Sequence, residues 1–367
     1  MPNSCCSAFA NARSIPARWT QALLACSGAA AVCACDDGAS VQGSAIVVAR
    51  GAGNDPAVAQ SDAAAAKDAG AAPAGLAPSL WSGCQGLATT YCAKLATCLP
   101  HDMQIDYAEP AVCVQREALR CSLGFVAAGA STALTALAGC QHQIGTQSCD
   151  FIDYGGPPRC WFEAGQLKGE AACAFDNQCI GKFCQKSGNS PCGVCANESA
   201  LGAKCAPNQC AAGLACVFDG AQKSFRCSTK LAVGGACTPG AKYESLCGYG
   251  LVCAAGQCVA ASGLGHDCKT VGCNHDQGLD CHKQTGKCVA IPMSTAGSGC
   301  SQSGIGSDHD RECFDGRCLN RNDRGNGTCK AYAVDGGKCE SWTGSACRVP
   351  AVCQGGSCVL PGSAKCK

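Results

Sequence analysis

Cys192-Gly-Val-Cys195 has the spacing of a thiol–disulfide active site, in which a thiolate stabilised at a helix N-terminus attacks a substrate disulfide. Its setting is a disulfide-rich loop, so two structural bridges are the expectation. Cys179, Cys184, Cys192 and Cys195 also have spacing suited to zinc. Zinc needs reduced thiolates, and an exported chain is oxidised, so no metal is expected there. Asp308, Asp310 and Glu312, with Asp315-Gly316 just after, gather several oxygens in one glycine-containing loop and form a weak calcium candidate. They lack EF-hand spacing, and a solvated acidic loop is the simpler expectation. The histidines, His101, His142, His266, His275, His282 and His309, are scattered without a HExxH pair or a GxSxG elbow, and read as surface residues. No nucleophile, base and orienting group can be assembled, so neither catalysis nor a cofactor is expected.

What positions the cysteines is a repeat. Gly235 to Val259 is one copy of a four-cysteine unit, and the first cysteines of successive units are Cys173, Cys205, Cys237, Cys268, Cys300 and Cys339. The steps of 32, 32, 31, 32 and 39 residues define a tandem array from about Gly169 to Lys367. The remaining cysteines of the units are Cys179, Cys184 and Cys192; Cys210, Cys216 and Cys227; Cys247, Cys253 and Cys258; Cys273, Cys281 and Cys288; Cys313, Cys318 and Cys329; and Cys347, Cys353 and Cys358. Cys195 and Cys366 are left as extras, expected to pair outside the regular scheme. A glycine precedes each first cysteine closely, as in Gly202-Ala-Lys-Cys205 and Gly265-His-Asp-Cys268, where positive φ lets the chain turn into a crosslink. Gly-Leu-x-Cys and Cys-Val segments, as in Gly250 to Cys253 and Cys258-Val259, imply one small hairpin per unit, with the four cysteines most simply pairing inside it.

With 39 cysteines and 47 glycines in 367 residues, and aromatics at only 5%, the chain has few large side chains to fill a core. Covalent staples must supply what burial does not. A formal charge of +1 gives no footprint for nucleic acid or an anionic membrane.

Arg13 and Arg18 precede the apolar run Ala22 to Ala34, the order of a secretory signal, and the run is too short to span a membrane. It ends in Val32-Cys33-Ala34-Cys35, which resembles a bacterial lipobox with Cys35 as the lipidated first residue. Cys26 is the rival site, but cleavage there leaves only about seven apolar residues after Trp19. Setting aside Cys5, Cys6, Cys26 and Cys33 with the signal, and Cys35 with its lipid, leaves 34 cysteines, 8 before residue 165 and 26 after it. Both blocks can therefore pair fully. Residues 1–34 are read as signal peptide and 35–79, rich in Ala, Gly, Asp, Pro and Ser, as a disordered tether.

Residues 80–165 read as a disulfide-stapled helical block. Cys84, Leu87, Tyr91, Leu95 and Cys98 follow a helical rhythm that Pro100 stops, and Pro110 opens a helix whose Cys113, Glu117 and Cys121 share a face. A third helix is expected from Ser131 to His142, with Cys140 inward. The spacings of Cys84 and Cys92, and of Cys113 and Cys121, suit two antiparallel helices bridged as Cys84–Cys121 and Cys92–Cys113. Cys92–Cys121 with Cys98–Cys113 fits nearly as well. Cys149 and Cys160 flank the turn-rich Tyr154 to Pro158 and are expected to close a loop with adjoining chain.

The first unit, Cys173-Ala-Phe-Asp-Asn-Gln-Cys179-Ile-Gly-Lys-Phe-Cys184 followed by Cys192, Cys195 and Cys205, resembles the N-terminal cysteine-rich domain of Dickkopf proteins, with Asp176 at the acidic position and Phe183 at the aromatic one. The later units resemble looser modules of bacterial cysteine-rich lipoproteins. The resemblance implies an extracellular, non-catalytic module that contacts proteins. The animal proteins' second, colipase-like domain has no counterpart, so their signalling role does not carry over. The expectation is an exported, lipid-anchored protein, periplasmic or on the outer surface, or else secreted. In it a tether presents the helical block and a rod of repeats to an extracellular protein or glycan. The alternative is a purely structural envelope spacer.

Overall fold

The computed structural model describes residues 76–131, 134–152, 163–187, 190–206, 209–211, 213–219, 223–238, 247–301, 312–319, 326–340, 344–362 and 366. The signal, both candidate lipidation cysteines, nearly all of the tether, Cys160, Asp308, His309 and Asp310 lie outside them.

Four helices form a hub: α1 (Pro78–Cys98), α2 (Pro100–Tyr107), α3 (Pro110–Phe125) and α4 (Leu134–Thr146). Each of the first three starts on proline, which lacks only an N–H that the first turn leaves unpaired. Pro100, expected only to stop α1, thus also starts α2, a helix the sequence reading lacked. α1 buries Leu80, Cys84, Leu87, Tyr91, Leu95 and Cys98 along one stripe, against α3 and α4. Leu87 and Ile144 of α4 are fully enclosed, a burial that stabilises by roughly 2 to 3 kcal/mol for each such side chain. Cys84–Cys121 and Cys92–Cys113 staple α1 to α3 at two levels, the first of the two arrangements that spacing allowed. Cys149, beyond α4, reaches back 51 residues to Cys98 at the end of α1 instead of closing a local loop. Cys140 on α4 is also disulfide-bonded.

The repeats are small antiparallel hairpins, such as β4 (Ala215–Asp219) with β5 (Ser224–Ser228) in the second unit and β6 (Leu251–Ala254) with β7 (Gln257–Ala260) in the third. In all six the first cysteine bonds the third, as in Cys205–Cys216, and the second bonds the fourth, as in Cys210–Cys227. The third and fourth cysteines face one another across each hairpin. Opposed Cβ atoms lie about 4.5 to 5.5 Å apart where a disulfide prefers about 3.8 Å. Both therefore reach back from one face to the segment that enters the unit, and the two bonds interleave.

This register corrects the count of extras. Cys195 stands opposite Cys184, 11 residues on, as Cys227 stands opposite Cys216, so Cys195 is the fourth cysteine of its unit and pairs with Cys179. A hairpin with an even-numbered loop opposes residues an odd number apart, a condition that Cys192, eight residues after Cys184, does not meet. Cys192 is the extra, and it bonds Cys366 across 174 residues. That bond joins the first unit to the sixth. The repeats are accordingly not a rod. They leave the hub beside the end of α3, pass around it, and return to α3 before closing on the first unit.

Candidate functional site

Each unit is built on the same turn. Its second residue lies at the tip and its third has positive φ: Glu170 in the first unit, then Gly202, Gly234, Gly265, Gly297 and Gly336. The turn closes with a bond such as Ala203 N–H to Ala200 O or His266 N–H to Gly263 O. The third residue then donates to the fourth cysteine's carbonyl, as Gly202 does to Cys227, and that cysteine's N–H donates back to the turn's last residue. Backbone hydrogen bonds and disulfides recur through this frame, and side chains add to it locally, as Arg226 does by donating to Gly202 O at 2.6 Å and Ser199 by donating to Lys204 O at 2.9 Å. The tip residue is free to vary, and reads Gly169, Leu201, Val233, Leu264, Ala296 and Asp335 from first to last. Leu201, Val233 and Leu264 are 64%, 70% and 58% exposed. Such side chains make no contribution to a core, so their apolar character is not required by the frame.

Asp335 differs from the other tips in facing the hub. Arg116 of α3 forks onto its two carboxylate oxygens at 2.8 Å each, and also donates to the carbonyls of Val349 and Arg348 at 2.6 and 3.1 Å. The planar guanidinium suits this fan of acceptors, and the sixth unit is pinned through it. The first unit docks through Asn177 and Gln178, which donate to Gly124 O and Ala128 O at 2.8 and 2.7 Å. In the third, Tyr249 N–H donates to Asp150 at 2.6 Å, and in the fourth Gln277 donates to the carbonyls of Thr97 and Cys98.

The fifth unit meets α2 along an acidic seam. Glu312 pairs with His101 at 2.7 Å, Asp315 N–H donates to Gln104 O, and the Tyr332 hydroxyl reaches Asp106 at 3.5 Å. Burial pushes the Asp102 carboxyl up to about 6; His101 opposes this, and Glu312 and Asp276 add to it. Asp106 is likewise pushed up to about 6, first by burial and then by Asp102. Deeper in the hub, Glu117 is fully buried and accepts from the Tyr107 hydroxyl at 2.6 Å and from Arg120 at 3.4 Å. Burial and the neighbouring Glu117 carboxylate raise the Tyr107 phenol well above its ordinary value. Burial, the largest influence, would lower Arg120, but Glu117, Tyr107, Tyr91 and Asp176 together outweigh it and hold the guanidinium above its ordinary value. These groups cement packed elements.

Several sequence expectations change here. His101 is a buried partner of Glu312, not a surface histidine; His142, His266 and His275 are exposed as expected, and His282 is half-buried beside Thr285. Of the calcium candidates Glu312 and Asp315 are described; the Glu312 carboxylate is engaged by His101 and that of Asp315 by Arg348. Cysteine sulfurs do cluster within 4.8 Å, as in Cys173, Cys179 and Cys195, with the spacing of a metal site. Two interleaved disulfides produce that cluster, and Cys173, Cys179 and Cys195 are all oxidised. Cys192 and Cys195, which have the spacing of a redox pair, belong to different bridges. The docking residues Arg116, Asn177, Gln277 and Asp335 carry no motif that the sequence reading could have used. Among the described residues no helix is long and apolar enough to cross a membrane.

No protein-family model, no curated protein and no solved structure matches this chain.

Proposed function

We propose that the chain is an exported, non-catalytic binding protein, anchored by a lipid on Cys35 or alternatively Cys26. In this reading the tether, expected over residues 35–79 and cut short by the start of α1 at Pro78, carries a ring of Dickkopf-like repeats that presents its turn tips to an extracellular protein or glycan. The observation that carries it is the division of labour within each unit. Disulfides and backbone hydrogen bonds hold the frame, while Leu201, Val233 and Leu264 occupy exposed tips that the frame does not need. Disulfides throughout the array support an oxidising compartment. The rival reading is a purely structural envelope or spacer protein with no specific ligand.

The test is affinity capture from intact envelope material with the folded chain and with a Leu201→Ser, Val233→Ser, Leu264→Ser variant. The expected result is a specific partner whose recovery falls at least about tenfold in the variant, as loss of apolar anchors predicts. Equal recovery of the same proteins by both, or of none by either, would favour the spacer.

A further inference from the structure

We infer that Cys192–Cys366 is a thiol–disulfide exchange site for dithiols, and that its reduction opens the ring of repeats while leaving every unit folded. Among the described bonds it is the one that joins two different units. Its two cysteines are half-buried, as are those of Cys205–Cys216 and Cys237–Cys253, so exposure alone does not single it out. Topology does. A within-unit bond spans only 11 to 18 residues and is crossed by its companion, so a thiol released there stays beside its partner and recloses. Cys366 lies outside the frame, whose hydrogen bonds reach Cys358 and whose last strand ends at Val359. In the sequence it is joined to that frame through residues 360–365.

One thiolate of the reagent attacks a sulfur of the Cys192–Cys366 bond and expels the other cysteine as thiolate. The reagent's second thiolate then attacks its own sulfur in the mixed disulfide and releases the cysteine held there. Two electrons pass to the Cys192–Cys366 bond, which ends as two thiols, and the dithiol ends as an intramolecular disulfide. The chemistry is independent of what the turn tips bind.

The experiment treats the folded, oxidised chain with limiting dithiothreitol, alkylates at intervals, and maps the labelled cysteines by mass spectrometry. Cys192 and Cys366 are expected to be labelled together at least about tenfold faster than Cys205, Cys216, Cys237 or Cys253. Amide exchange should then rise at the first and sixth units' contacts with the hub, while the Val217–Arg226 hairpin pairing stays protected. Labelling of a within-unit pair first, or of all pairs at one rate, would overturn the inference. A Cys366→Ser variant provides the second arm: with all other pairs native, its exchange pattern should match that of the selectively reduced protein. Scrambled pairing in that variant would show closure to be a folding requirement, and would also overturn it.

Discussion

The hub and the ring solve the same stability problem by different means. In the hub, Leu87, Tyr91, Leu95, Phe125 and Ile144 pack against one another, and the staples reinforce a core that already exists. In the ring, the buried cluster of the first unit is Cys173, Cys179, Cys184 and Cys195, and that of the fifth is Cys300, Cys313 and Cys329. There the disulfides are the core. A unit of about 32 residues has too little apolar surface to offset its conformational entropy without them. The contrast shows why a cysteine-rich chain can still contain a conventional helical core, and why its repeats tolerate almost any side chain at their tips.

Deleting one bond on each side tests this contrast most directly. Cys205→Ala with Cys216→Ala removes a bond spanning 11 residues, and Cys92→Ala with Cys113→Ala one spanning 21, each worth about 3 kcal/mol by loop closure. Similar energies should have different consequences. The second unit should lose amide protection over Ala215–Asp219, whereas α1 should keep its helical exchange pattern. Retained protection in that hairpin would break the comparison.

Arg116→Ala should cost about 2 kcal/mol, because it removes a two-pronged charged contact and strands the Asp335 carboxylate. Exchange should rise in Val352–Val359 with α1 unchanged. If α1 rises equally, hub and ring unfold as one cooperative body.

The acidic seam makes the junction sensitive to pH. Asp102 and Asp106 are each raised from 3.8 to about 6, so the folded state holds their protons more tightly than the unfolded chain. Their contribution favours folding in acid, is lost as pH rises from about 4 through 6, and is level above that. The groups facing them are His101, Asp276, Glu312, Tyr332 and Glu117. Denaturant midpoints at pH 4.5 and 7.5 should show the fall, and Asp102→Asn with Asp106→Asn should flatten it, stabilising the chain at pH 7.5 by about 2 kcal/mol. An unchanged slope in the double variant would place the pH dependence elsewhere.

The smallest effect separates free turns from docked ones. Gly202 and Gly278 both have positive φ, but a Cβ on Gly202 meets open space and one on Gly278 meets the His101 side chain at 2.8 Å. Ala at either should cost about 1 to 2 kcal/mol from backbone strain. Thermal melts should show Gly278→Ala lower still, by about 1 kcal/mol or more of overpacking. Equal costs would mean that the fourth unit does not bear on α2 at that point.

How much was legible in the sequence depended on distance along the chain. The period, the entry glycines and the hairpins come from neighbours within a few tens of residues, and so does the stripe from Cys84 to Cys98. Two further local signals carry more than the period and the helical stripe. Pro100 marks a helix start as well as a stop, and the odd spacing from Cys184 to Cys195 names the fourth cysteine of the first unit.

By itself, then, the sequence determined a chain of oxidised repeats behind a helical block, because turn chemistry and helical periodicity are local. Only the tertiary structure decided that the repeats surround the block. That arrangement rests on Asn177 at Gly124, His101 at Glu312, Arg116 at Asp335 and Cys192 at Cys366, pairs separated by 53, 211, 219 and 174 residues. At such separations no short-range pattern selects a partner. The choice is made by which polar groups are buried together when the elements pack, and by the penalty of leaving any of them unpaired.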